Sequence, residues 1–89
     1  MSPLDLEWSK GGTGSFVRLA GESATVRSSC PSPPGSRIDG NLASGEAIRL
    51  KVHGSRKQED GSFLLEGRLL DLPRDLRLKL EAALRAPTA

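Results

Sequence analysis

The sequence predicts a mainly β domain: a small antiparallel six-stranded barrel with a C-terminal amphipathic α-helix. Three observations carry this expectation. Short segments alternate apolar and polar residues, Gly and Pro clusters separate them, and the pattern changes once to a helical period near the end. The barrel is expected over about 4–71 and the helix over about 73–86. With 89 residues the chain is one domain, 1–89, with a thin core. An OB-like or SH3-like barrel is the alternative topology.

The elements follow in order. "PLDLEW" sets Leu4, Leu6 and Trp8 on one side and Asp5 and Glu7 on the other, a half-buried strand with Trp8 as its core anchor. "SKGGTGS", residues 9–15, has three Gly and no apolar residue, so a flexible loop or wide hairpin connection is expected. In "SFVRLA" and "SATVRSS", Val17 and Leu19 should share one face, as should Ala24 and Val26, leaving Arg18, Thr25 and Arg27 toward solvent or a rim. The prolines of "CPSPPGSR" remove backbone donors, so this piece must run over an edge or around a corner, with Cys30 as a small packing residue. "RIDGNLASG" reads as a short, irregular strand with turn residues at Asp39-Gly40-Asn41 and Ser44-Gly45.

"EAIRLKVHG" is the clearest strand: Ile48, Leu50 and Val52 alternate with Arg49, Lys51 and His53, giving a core face and a basic face. Its partner "SFLLEGRLLD" alternates Phe63, Leu65 and Leu69 with Glu66 and Arg68, and Gly67 marks curvature or close backbone approach. Between them "SRKQEDG" is a polar hairpin loop ending in Asp60-Gly61. In "DLPRDLRLKLEAALRA", Leu76, Leu80, Ala83 and Leu84 form one helix face. Pro73 suits the first turn, Asp71 precedes it, and Pro87 stops the helix.

Composition narrows the function. A net charge of +2 without charge runs does not itself predict nucleic-acid or membrane binding. The lone Cys30 and the lack of a signal-peptide or membrane-span pattern lead us to expect a cytoplasmic setting. No catalytic motif is present. Cys30 and the single His53 lack metal-ligand spacing and a third orienting group, so a non-enzymatic protein without a cofactor or metal is expected. Two Phe, one Trp and no Tyr argue against a deep aromatic-lined pocket.

The run "PPGSRIDGNL" followed by "SGEAIRLKVHGSRKQEDGSFLLEGRLLDLPRDLRLKLEAAL" resembles PilZ domains, with the helix pattern L-x-x-x-x-R-x-x-L met by Leu72 through Leu80 and Arg77 at its arginine. The likeness covers roughly 16–84 and rests on apolar and turn residues. It implies a bacterial signalling module related to cyclic di-GMP and to surface behaviour or motility.

The family's ligand motifs are an R-x-x-x-R arm and a D/N-x-S-x-x-G turn, since arginine forks suit phosphate and the guanine edge. No Arg here has another Arg four residues on, and only Met1, Ser2 and Pro3 precede the first apparent strand, so the arm is expected to be missing. The second motif would fall on "VRLAGESATVRSS", where Leu19, Gly21 and Ala24 occupy its degenerate slots. Asp60-Gly61-Ser62 begins a similar run, but Leu65 stands at its glycine.

A PilZ-like protein-interaction module that does not bind cyclic di-GMP in the usual way is therefore expected. Its candidate partner surface is Arg49, Lys51, His53, Arg56 and Lys57. The alternative is a cyclic di-GMP receptor with a non-standard set such as Arg18, Arg27 and Arg37. A small nucleic-acid-binding barrel using Arg49 and Lys51 ranks third, disfavoured by few aromatic residues and low charge. A protein partner is expected, with a homodimer through Leu78 as a further option, and no membrane.

Overall fold

The computed structural model describes residues 4–85. Its strands are β1 (Asp5–Trp8), β2 (Thr13–Ala20), β3 (Ser23–Ser28), β4 (Arg37–Leu42), β5 (Ala47–Lys57) and β6 (Phe63–Leu70), followed by the helix α1 (Arg74–Arg85). All pairings are antiparallel, and the six strands close into a barrel in the order β1-β2-β3-β6-β5-β4. Consecutive strands form hairpins except β3 and β4. There the proline-rich segment leads the chain from Cys30, beside Gly11 of the β1–β2 hairpin, to β5, where Gly35 N donates to Val52 O at 2.7 Å and Val52 N to Ser36 O at 2.8 Å.

Inside the barrel Leu6, Trp8, Phe16, Val26, Ile38, Leu50, Val52, Leu65 and Leu69 form one core, joined by Leu76 and Leu80 of α1. The indole lies against two glycines. A Cβ at Gly40 would lie 2.9 Å from a Trp8 ring carbon and one at Gly14 would lie 3.0 Å from another. Asp39-Gly40-Asn41, expected to be a turn, is instead the middle of a regular strand, and Gly40 is there because the Glu7 carbonyl oxygen, 2.8 Å from where a Cβ would stand, and the indole together occupy the space of a side chain.

Two bulges change which residues face the core. On β2, Phe16 pairs with Val26 but Arg18 pairs with Thr25, so Val17 is extruded. Val17 is 50% exposed while Phe16 is buried and Leu19 half-buried, which corrects the expectation that Val17 and Leu19 share a face. On β5 the register shifts between Val52 and Gly54, leaving His53 at the bulge. Gly67 pairs with Val52 beside that bulge, and a Cβ there would overlap the Lys51 carbonyl oxygen. The close approach anticipated at Gly67 is thus present.

Loop limits also differ from the sequence pattern. The β1–β2 connection ends before Thr13, and β5 runs on to Lys57, so its hairpin loop is shorter than "SRKQEDG". Backbone pairing with β3 and with β6 extends the strands into both polar stretches. After β6, Asp71 takes a left-handed φ of 51° and turns the chain. Pro73 stands just ahead of the helix, its carbonyl accepting from Arg77 N at 3.0 Å. Leu76 and Leu80 are buried, Ala83 and Leu84 half-buried, and the helix packs against β2. Lys79 ties it to Glu46 of the β4–β5 hairpin at 3.0 Å. Position 86 and Pro87, expected at the helix end, lie outside the described residues, as do Met1 to Pro3.

Candidate interaction surface

The Leu19–Ala24 corner is a two-residue hairpin turn. Gly21 has a φ of 61°, and Glu22 does not share its left-handed backbone, the pattern of a type II′ turn with glycine first. Leu19 pairs with Ala24, which is buried opposite Gly67, and Leu19 packs against the core. The slots that would carry a nucleotide motif therefore hold two apolar side chains turned inward and a glycine. Glu22 supplies the corner's charge. Its carbonyl accepts from Leu69 N at 2.8 Å, and its carboxylate meets Arg68 at 3.3 Å.

Strand register organises the outer surface into rows. Asp39, Arg49 and Leu70 lie across β4, β5 and β6, and the next row is Arg37, Lys51 and Arg68, continued by Ser23. Beyond the His53 bulge, Gly54 pairs with Glu66, and Arg56 pairs with Leu64, which in turn pairs with Arg27. The bulge shifts parity, so Arg56 shares the outer face with Lys51 while Lys57 pairs with Phe63 on the other side. Of the five candidate residues, Arg49, Lys51 and Arg56 thus lie on the outer face, His53 at the bulge and Lys57 on the other side. Arg49 is bound to Asp39 at 2.9 Å, which holds its guanidinium above the usual arginine pKa. Lys51 is half-buried in the cation row, and His53 is exposed at the bulge.

Arg37 and Arg68 flank Lys51, a grouping that alternation within one strand does not reveal. The non-standard set Arg18, Arg27 and Arg37 does not converge: Arg37 and Arg27 lie on β4 and β3 with β5 and β6 between, roughly 14 Å apart across the sheet by strand spacing alone. Arg77, the arginine of the helix pattern, meets Glu81 of its own helix at 3.7 Å. The side chain lies beside its i+4 neighbour, and its Nε is buried without a hydrogen-bond partner.

Leu64 and Leu70 are half-buried on the outer side of β6, and Leu78 is 46% exposed on the helix. A groove of about 600 Å³ runs beside β1, with Asp5, Glu7 and Arg27 around Leu6 and Leu42. The Cys30 Sγ lies 3.8 Å from Ser28 Oγ and 3.9 Å from Gly11 O. Among the described residues no group of three metal-ligating side chains occurs, and no helix is long and apolar enough to cross a membrane. Compared with known proteins, the chain matches no family model, no curated protein and no solved structure.

Proposed function

We propose that this barrel is a PilZ-like regulatory module of bacterial, cytoplasmic signalling that acts by binding other proteins and does not take up cyclic di-GMP in the usual way. One observation carries the proposal: at the corner where the nucleotide motif belongs, Leu19 and Ala24 face inward, Gly21 offers no side chain, and Glu22 presents a carboxylate already engaged by Arg68. Missing charge-assisted contacts to phosphate or guanine forgo about 1.5–3 kcal/mol each, about tenfold to a hundredfold in affinity. The link to motility-type pathways comes from the family likeness.

Isothermal titration with cyclic di-GMP tests this. No heat of binding at micromolar concentrations is expected, and micromolar or tighter binding at 1:1 or 2:1 overturns the proposal.

A further inference from the structure

On opposite sides of Lys51 stand Arg37 and Arg68, both directly paired with it in register. Like charges in directly opposed positions destabilise a sheet. The neighbouring row shows how the same sheet neutralises a cation, with Asp39 holding Arg49 at 2.9 Å. Among the described residues Arg37 and Lys51 have no acidic partner. Arg68 has only Glu22, at 3.3 Å with both side chains more than half exposed, a contact that solvent screens and another carboxylate can replace. The row thus carries a repulsion that an anion relieves.

We infer that the outer face of β4, β5 and β6 docks an extended acidic segment of a partner protein, its carboxylates on Arg37, Lys51 and Arg68 and an apolar side chain on Leu64. This rests on the interaction-module proposal and names the partner's chemistry. Three adjacent strands span about 10 Å, within reach of carboxylates on alternate residues of an extended chain. Leu64, half-buried between Arg56 and Arg27, gives that segment an apolar contact rimmed by cations. Glu66 lies on the same face between Arg68 and Leu64. It opposes a continuous polyanion, while a peptide can place a neutral or basic residue beside it. The aromatic residues Trp8, Phe16 and Phe63 belong to the core or pack against it, so the outer face has no platform for stacking bases.

The test is an amide NMR titration of the full chain with a synthetic peptide alternating Glu and Leu, alongside an oligothymidylate. Binding of the peptide is expected, with shifts concentrated at Arg37, Lys51, Leu64 and Arg68. The double reversal Arg37→Glu with Lys51→Glu should weaken it about tenfold or more, the weight of one or more charge-assisted contacts. Arg74→Glu with Arg85→Glu on the helix should leave it unchanged. Lys51→Gln should give a smaller loss in the same direction, which keeps the test decisive if the double variant does not fold. Absence of peptide binding, shifts centred elsewhere, equal loss in the helix variant, or tighter binding of the oligothymidylate overturns this inference. None of these outcomes bears on the nucleotide titration, whose failure would instead overturn the module's independence from cyclic di-GMP.

Discussion

Trp8 donates its indole N–H to the Ser28 hydroxyl at 2.8 Å inside the barrel, and both residues are buried. The same hydroxyl donates to Cys30 O at 2.7 Å and accepts from Cys30 N at 3.2 Å, so one small side chain joins β1, β3 and the start of the proline-rich crossing. Removing it in Ser28→Ala leaves a buried indole N–H without its acceptor, at a cost of about 1–3 kcal/mol. Urea denaturation followed by the fluorescence of the single Trp8 measures this directly. A change below about 0.5 kcal/mol, the usual effect of a neutral surface substitution, would show that the bond contributes nothing.

The β2 bulge makes neighbouring apolar residues unequal. Phe16→Ala should destabilise by about 3–5 kcal/mol, whereas Val17→Ser should stay within about 0.5 kcal/mol. Comparable losses at both positions would mean that β2 keeps simple alternation through Val17.

Gly67 and Gly54 sit on opposite sides of the β5 bulge with different surroundings. A Cβ at Gly67 meets the Lys51 backbone, so Gly67→Ala should cost about 3 kcal/mol or more, or about 12 °C or more in melting temperature. At Gly54 nothing lies within 4 Å, and Gly54→Ala should be neutral or slightly stabilising. Thermal melts of the two variants give the comparison.

The cation row makes a prediction that needs no partner. Lys51→Glu converts two like-charge contacts into two opposite-charge ones and should stabilise the free chain by about 0.2–1 kcal/mol. A destabilised variant would mean that Arg37, Lys51 and Arg68 avoid one another in solution.

Glu46 titrates below the usual carboxylate range, first because Ser44 donates a hydrogen bond to it and then because Lys79 does. Its pKa is lower folded than unfolded. The associated stability is therefore present above the unfolded value and lost as pH falls through the folded one. Carboxyl NMR titration should show the Glu46 pKa rising toward the ordinary value in Ser44→Ala, with a smaller rise in Lys79→Met. No movement in either variant would contradict the assignment.

Much of this architecture was legible from alternation. The inward sets Leu6 with Trp8, Ile48 with Leu50 and Val52, and Leu65 with Leu69 follow period two, and Leu76 with Leu80 follow the helical period. Val17 and Gly40 depart from the sequence pattern for one shared reason. Their environments depend on other strands: a bulge against β3 and, from β1, a backbone carbonyl and the indole. The candidate surface was half legible for the same cause. Lys51 stands out within its own strand, but Arg37 and Arg68 join it only through register, which no single segment encodes.

The placement of α1 has a consequence for how this barrel can be cut. β1 pairs with β2 only over Thr13–Ser15, with Leu4 O accepting from Phe16 N, so among the described residues the end of β2 from Val17 to Ala20 lacks a strand on that flank, and α1 packs against β2. Truncation after Asp71 would not leave a smaller soluble barrel. It would uncover an unpaired strand edge together with Leu19 and a core stripped of Leu76 and Leu80, the combination that drives chains to aggregate through strand-to-strand contact. The helix is the barrel's protection against its own kind.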